Sequence, residues 1–538
     1  MIKLNVKDKI LCLLFITCTL ILNFNFILFD YLINDFHKNF IIFFITLSFC
    51  LPALFYYQGS FNLKIIPLFE IILIFFIISY ITIFFFSEKR VISSYSWAGS
   101  TEPDHIYFKV IRDLIKFPFN YLQNFYYATL SFLTGYYIFL FLYFKKKIFT
   151  RLKIVKYNFI FTNYHYYYLG LILFFFQILF FLIIDLNSIN IVLQFKESLI
   201  FMSVLCLSNF IFNEKKNYLS KIISLIIILV SCFISLIETG SQITVTLILM
   251  LIIMNYWFTN GKIFFVGILL VVLNFYYFQD IKIAYRESMH KVPVELRTPV
   301  SKIQNYTTEF YENLSFLNAI KFDSSKKKMT KQGKNNKILS NEKLLPNEKL
   351  LSNEKLLPNE KLLSNEKLLS NKNRVSLVRL TMSSLAYKRI LDMYKENKLN
   401  LKRGETYKPL IFFFIPRALW PDKPKSSFGI EYGLTVSVTD ERFPTSINVS
   451  WISESFWNFG NFFFIAMFIK GIIISIISSV FIFKNQCAVF YSWLAVSFPL
   501  VIAESNTALM LGPIFFKFIF LILIISAYKF FFIKNEKN

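Results

Sequence analysis

"YLQNFYYATLSFLTGYYIFLFLYF", residues 121–144, followed at once by "KKKIFTRLKIVK", residues 145–156, decides the fold class. The first stretch holds no charged residue. It is long enough to cross a ~30 Å hydrocarbon layer as a helix, which takes about 20 apolar residues. In lipid a backbone N–H or C=O has no water to bond, so a spanning segment must satisfy these groups within itself, as a helix does. The second stretch is strongly basic, and basic short loops stay on the cytoplasmic side. The pair therefore supplies a span and its direction.

Similar runs lie near residues 10–29, 40–57, 65–86, 166–186, 193–212, 222–237, 243–258, 263–278, 460–483, 487–504 and 512–533. With the first, they make about twelve spans by hydropathy. Of the 538 residues, 56% are hydrophobic and 19% aromatic, more uninterrupted apolar sequence than a water-soluble core requires. The expected fold class is an all-α polytopic membrane protein. "NEKKNYLSK" (213–221) and the tail "KNEKN" are basic and go inside, whereas "DYLINDFHKN" (30–39), "ETGSQ" (238–242) and "ESNTALMLG" (504–512) are nearly free of Lys and Arg and go outside. Both termini are then cytoplasmic, and the basic-then-apolar N-terminus reads as a retained first span, too long for a signal-peptide core.

The division is into an N-terminal membrane domain, 1–278, with about nine spans, a large external loop, 279–459, and a C-terminal membrane domain, 460–538, with about three. A second long external segment covers about 87–120. Long loops translocate largely regardless of charge, so their lysines do not oppose this topology. The formal charge of +25 does not point to nucleic acid, because Lys, Asn, Ile, Phe and Tyr are abundant together and share AT-rich codons, so genome bias accounts for part of the excess lysine. The six cysteines sit in or beside apolar runs without a CxxC pair, and the four histidines have no ligand spacing, so neither disulfides nor a metal site is expected.

Within the loop, "SNEKLLPNEKLLSNEKLLPNEKLLSNEKLLSNK" (340–372) repeats a six-residue unit five times. A period of six fits no helical stripe, and Pro346 and Pro358 interrupt it. One reading is a ligand-binding array. The other, which low complexity favours, is in-frame expansion of a short repeat in a disordered insert, about 320–372. Without it, ordered sequence resumes at "NRVSLVRLTMSSLAYKRILDMYKEN" (373–397), whose apolar residues recur at helical spacing.

"LKRGETYKPLIFFFIPRALWPDKP" (401–424) is the one place where a short apolar run breaks into prolines and charges. It is too short to span and suits an interfacial or re-entrant element. Pro416, Pro421 and Pro424 fix the backbone, and Arg417 projects from that frame. A guanidinium there either binds phosphate oxygens as a planar fork or snorkels to headgroups beside Trp420. Glu70 and Lys470 lie inside spans, where ionisable groups need a cavity or a partner.

These residues resemble the Wzy-type O-antigen polymerases, bacterial enzymes that join oligosaccharide repeat units. The resemblance rests on G-E-T-Y (404–407), a short apolar stretch, and I-P-R-A-L-W-P-D-K-P (415–424), followed by E-S-F-W-N-F-G (454–460) leading into the next span. "RVSLVRLTMSSL" resembles the preceding family segment. Motif likeness covers about residues 373–462; span number and one dominant loop extend it in architecture. Two features depart from the pattern: Gln242 stands where family members often carry an arginine, and the 320–372 insert is foreign to it.

The resemblance implies a fold like the GT-C-type glycosyltransferases that use lipid-linked sugars. It implies transfer of a glycan between undecaprenyl-diphosphate-linked oligosaccharides, donor and acceptor, at the periplasmic face of the bacterial inner membrane. No cofactor and no metal are implied. A flippase and a chain-length-regulating co-polymerase are the protein partners it admits, beside membrane lipid. The chemistry needs a base for the acceptor hydroxyl and cations for the departing diphosphate. Candidate bases are Glu454, Asp422 and Glu405; candidate diphosphate ligands are Arg417, Arg286, Lys423, Arg379 and Arg403. An O-antigen ligase, or a lipid-linked oligosaccharide flippase or other transporter, would share much of this architecture.

Overall fold

The computed structural model describes residues 72, 76, 79–85, 106–116, 119–146, 161–182, 190–214, 216–238, 298, 300–308, 381–413, 415, 420, 422–424, 428–436, 447–479, 488–501 and 505–533. Among them all regular structure is helical. The apolar segments expected near 10–29, 40–57, 243–258 and 263–278 lie outside the described residues, as do the repeat, Glu70 and Gln242.

Five helical segments among the described residues are long and apolar enough to cross a membrane: Asn163–Leu182, Phe195–Asn213, Tyr218–Ser235, Trp451–Ser478 and Thr507–Ile533. The elements used below are α1 (Ile106–Lys116), α2 (Phe119–Lys146), α3 (Asn163–Leu182), α4 (Asn190–Asn213), α5 (Tyr218–Glu238), α6 (381–395), α7 (Lys408–Phe412), α8 (Gly429–Thr435), α9 (Trp451–Phe459), α10 (Phe463–Ser479), α11 (Ala488–Ser497), α12 (Thr507–Leu511) and α13 (Ile514–Tyr528). Large apolar side chains such as Phe175, Leu182, Leu229, Phe515 and Leu523 are exposed along the spans. In water such a surface would drive association; in a bilayer it faces lipid tails. The protein is a helical membrane protein.

Helices in lipid gain little from burying grease against grease, so close approach and interhelical hydrogen bonds decide who packs on whom. At the α2–α10 crossing the close approach is extreme. A Cβ added to Gly135 would lie 2.1 Å from the Phe468 carbonyl oxygen, and one added to Gly471 would lie 2.1 Å from the Phe132 carbonyl oxygen. The two backbones touch where side chains are absent. Around that point Tyr121, Phe125, Ala128, Phe132 and Tyr136 are buried on one face of α2, whereas Tyr127, Leu130 and Ile138 are exposed on the other. Elsewhere hydroxyls and amides join the helices. Ser203 donates to the Gly170 carbonyl at 2.8 Å, Ser231 to Gln177 Oε1 at 2.9 Å, Tyr491 to Asn209 Oδ1 at 2.8 Å, and the Trp493 indole to the Ile477 carbonyl at 2.8 Å.

Helix α6 closes with Asn397 in the left-handed region, the Lys398 N–H reaching back to the Met393 carbonyl at 2.8 Å. Its Tyr387 and Tyr394 pack on Phe456 of α9. The long segment read as external loop over 87–120 contains α1, with Phe108, Val110, Ile111 and Leu114 buried. The apolar helix expected to start near 460 begins at Trp451, because Trp451, Ile452, Phe456 and Trp457 are all buried. It is broken at Gly460, whose positive φ of 53° and contact with the Tyr394 ring leave no room for a side chain.

Candidate functional site

That early start places Glu454 in the first turn of a buried helix instead of in a loop. Glu454 is 0% exposed and Lys470, sixteen positions later on α10, is 2% exposed. The Lys470 ammonium donates to Glu454 Oε2 at 3.0 Å, to the Trp451 carbonyl at 2.9 Å and to Ser455 Oγ at 3.0 Å. All three of its hydrogens are thereby used. The rings of Tyr407 and Trp451 lie 5.2 and 5.7 Å away, close enough for cation–π attraction.

The carboxylate is as fully occupied. Its Oε1 accepts from Thr406 Oγ1 at 2.9 Å, and its Oε2 accepts from Lys470, from the Thr507 N–H at 3.0 Å and from the Thr507 hydroxyl. Taking two ions out of water costs several kcal/mol each, and only dense hydrogen bonding of this kind offsets it. The pair draws together the 404–407 turn, α9, α10 and α12.

Asn458 completes the junction. Its Oδ1 accepts from the Gly404 N–H at 2.9 Å, while its Nδ2 donates to Thr406 Oγ1 and to the Glu454 carbonyl, both at 2.8 Å. Main-chain bonds run alongside, from the Lys402 N–H to the Trp457 carbonyl and from the Arg403 N–H to the Asn458 carbonyl, each 3.0 Å. Tyr407 stacks on Phe459 with ring planes 5° apart. Every residue of G-E-T-Y except Glu405 thus touches the E-S-F-W-N-F-G element.

On the outer side of this junction the chain bends sharply. Arg403 has φ 47° and Gly404 φ 90°. Glycine adopts such a backbone freely; a residue with a Cβ held there costs roughly 1–3 kcal/mol. Arg403 is nonetheless exposed, and so is Glu405. Lys402 bridges Glu405 at 3.5 Å and also pairs with Glu431 of α8, lying over the Trp457 ring.

The proline corner packs beside it. Lys423 donates to the Phe413 and Ile415 carbonyls at 3.1 and 2.8 Å, closing the end of α7, and its ammonium lies 5.1 Å from the Phe413 ring. That ring covers Gly512, where a Cβ would come within 2.2 Å of it, and meets Phe516. Phe412 meets Trp420 edge-on at 5.2 Å. Asp422 is exposed.

Of the sequence candidates, the structure brings Glu454, Glu405 and Arg403 to one junction, with Glu454 beneath and the other two on its surface. Lys423 and Asp422 belong to the neighbouring corner, with Lys423 bound to carbonyls. Arg417, Arg286 and Arg379 lie outside the described residues. Sequence reasoning missed Thr406, Asn458 and Thr507, and it named Lys470 and Glu454 without pairing them. Lys470 carried a signal, since a lysine in a span needs a partner. Among the described residues no three His, Cys, Asp or Glu side chains converge as a metal site would require. Comparison with protein-family models, curated proteins and solved structures finds no match for this chain.

Proposed function

We propose that the chain is a polymerase of lipid-linked oligosaccharide repeat units. What carries this reading is the convergence of its two motif stretches: Gly404, Thr406 and Tyr407 close onto Glu454, Asn458 and Phe459 in one hydrogen-bonded and stacked junction. Residues about fifty positions apart meet on named side chains, as parts of one site would. The larger frame of the reading is about twelve spans with a GT-C-like arrangement in the bacterial inner membrane, with the junction at the periplasmic face and both termini inside.

In the proposed reaction an acceptor sugar hydroxyl attacks the anomeric carbon of the donor glycan. The new C–O bond forms as the bond from that carbon to the diphosphate breaks. The hydroxyl proton passes to a carboxylate, and polyprenyl diphosphate leaves with the electron pair. Glu405, exposed on the turn, takes the proton, with Asp422 the second candidate. Glu454, saturated by four donors, positions the turn. Arg403 and Arg417 carry the developing diphosphate charge, with Arg286 and Arg379 as further cations and Lys423 holding the corner in shape.

The test compares surface-glycan banding in strains carrying the wild type or Arg417→Ala at equal membrane abundance. Collapse of the ladder to a single capped repeat unit is the expected result. Loss of all capped glycan would turn the reading toward a ligase or flippase, and an unchanged ladder would leave Arg417 as a headgroup anchor.

A further inference from the structure

A polar cleft of about 320 Å3 lies between α1, the start of α2 and α6, lined by Asp113, Asn120, Tyr121, Lys388, Leu391, Asp392 and Lys395. Its volume is at the lower end of pockets that bury small ligands, but its lining is not the usual apolar one. Lys388 and Asp392 are tied to each other at 2.5 and 2.7 Å, one turn apart on α6. The side chains of Asp113, Asn120 and Lys395, which also line the cleft, have no bonding partner among the described residues. Two carboxylates balance two ammonium groups, so the cleft has no net charge to attract a polyanion. It offers acceptors at Asp113, donors at Lys395 and both at Asn120.

We infer that this cleft binds the glycan part of a lipid-linked saccharide, at a site separate from the Arg403 turn. Donors and acceptors brought together in one cleft match neighbouring sugar hydroxyls, each of which gives one hydrogen bond and accepts others. Charged partners make such bonds stronger than neutral ones. Helix α6 joins the cleft to the junction: one of its faces lines the opening through Lys388, Leu391, Asp392 and Lys395, and an adjacent face lays Tyr387 and Tyr394 on Phe456, two residues beyond Glu454. A glycan held in the cleft would leave the Arg403 turn free for the diphosphate. Placing it on the path of a transferred glycan rests on the polymerase reading; its chemistry as a sugar cleft does not.

The probe is the oligosaccharide released by mild acid from the host strain's own surface glycan, free of lipid and phosphate. It is titrated calorimetrically into the detergent-solubilised full-length protein. Wild type is expected to bind it, and Asp113→Asn and Lys395→Ala, both partly or fully exposed substitutions, to bind it about tenfold more weakly, the loss of one charged hydrogen bond. Arg403→Ala binds it as wild type does. No binding to wild type, or binding by both cleft variants as tight as that of wild type, overturns the inference. Inorganic diphosphate that binds wild type and is weakened by Lys395→Ala but not by Asp113→Asn overturns it as well, by making the cleft an anion site. Loss of all capped glycan in Arg417→Ala together with tenfold weaker glycan binding in Asp113→Asn would turn the reading away from a polymerase and leave the cleft standing.

Discussion

Helix α10 is held at two places by opposite means. At Gly471 it meets α2 through missing side chains, backbone against backbone. At Lys470, one residue earlier, it is bound to α9 through a buried charge with every hydrogen engaged, and Glu454 carries that link on to α12 and the 404–407 turn. The first contact depends on shape alone and has no tolerance for volume. The second depends on polarity and has no tolerance for a missing partner. Successive residues on one helix thus face two kinds of selection, and the difference locates the place where specificity of arrangement has been added to mere packing.

The comparison breaks most visibly at the charge. Lys470→Met leaves a buried carboxylate uncompensated and is expected to cost about 3–5 kcal/mol, seen as loss of folded protein from the membrane fraction. Glu454→Gln combined with Lys470→Met keeps one acceptor, for Thr507, turns an amide donor toward the Thr406 hydroxyl and removes both charges, and it recovers most of that loss. If the double variant is as poor as the single one, the pair is not the unit described above. Next in size is the crossing itself: Gly135→Val or Gly471→Leu forces the backbones apart for about 1–3 kcal/mol or more, read as a lower thermal midpoint in detergent. Those variants should leave the Glu454 junction able to form, whereas Lys470→Met should leave the crossing able to form, and a cysteine crosslink across either contact separates the two.

Arg403→Gly sharpens the other side of the contrast. Relief of the left-handed backbone offsets the flexibility glycine brings, so stability rises slightly, by under about 1 kcal/mol. The same change removes the guanidinium, so the glycan ladder shortens or disappears. Stability and activity moving in opposite directions would mark strain kept for use; a parallel change would mean that Arg403 serves only the turn. The smallest effect is at the polar glue between α3 and α5, where Ser231→Ala is expected to cost about 0.6 kcal/mol, the size of an average interhelical hydrogen bond in a membrane.

Residue pattern announced the helices because lipid leaves the backbone no alternative. The run at 121–144 lies within α2, and residues 381–395 of the segment with apolar spacing form α6, so both appear as helices. The site was legible in its parts and not in their assembly. Gly404, Thr406 and Asn458 fall in recognisable motifs, yet only the fold shows that Asn458 spans from the Gly404 N–H to the Thr406 hydroxyl. Lys470 announced a need and Glu454 a capacity, but their spacing of sixteen includes the break at Gly460, which no periodicity anticipates. Nor does sequence say that Gly135 and Gly471, so far apart in the chain, are each other's reason for being glycine.

That last separation has a consequence for biosynthesis. Ribosomes add about 5–20 residues per second, so the 336 residues from Gly135 to Gly471 take roughly 17–67 s to make. Throughout that interval α2 exists with its Gly135 face open and its partner unwritten. The protein must therefore be guarded or must settle for provisional neighbours while it is being made, and every residue added to the 320–372 insert lengthens the wait.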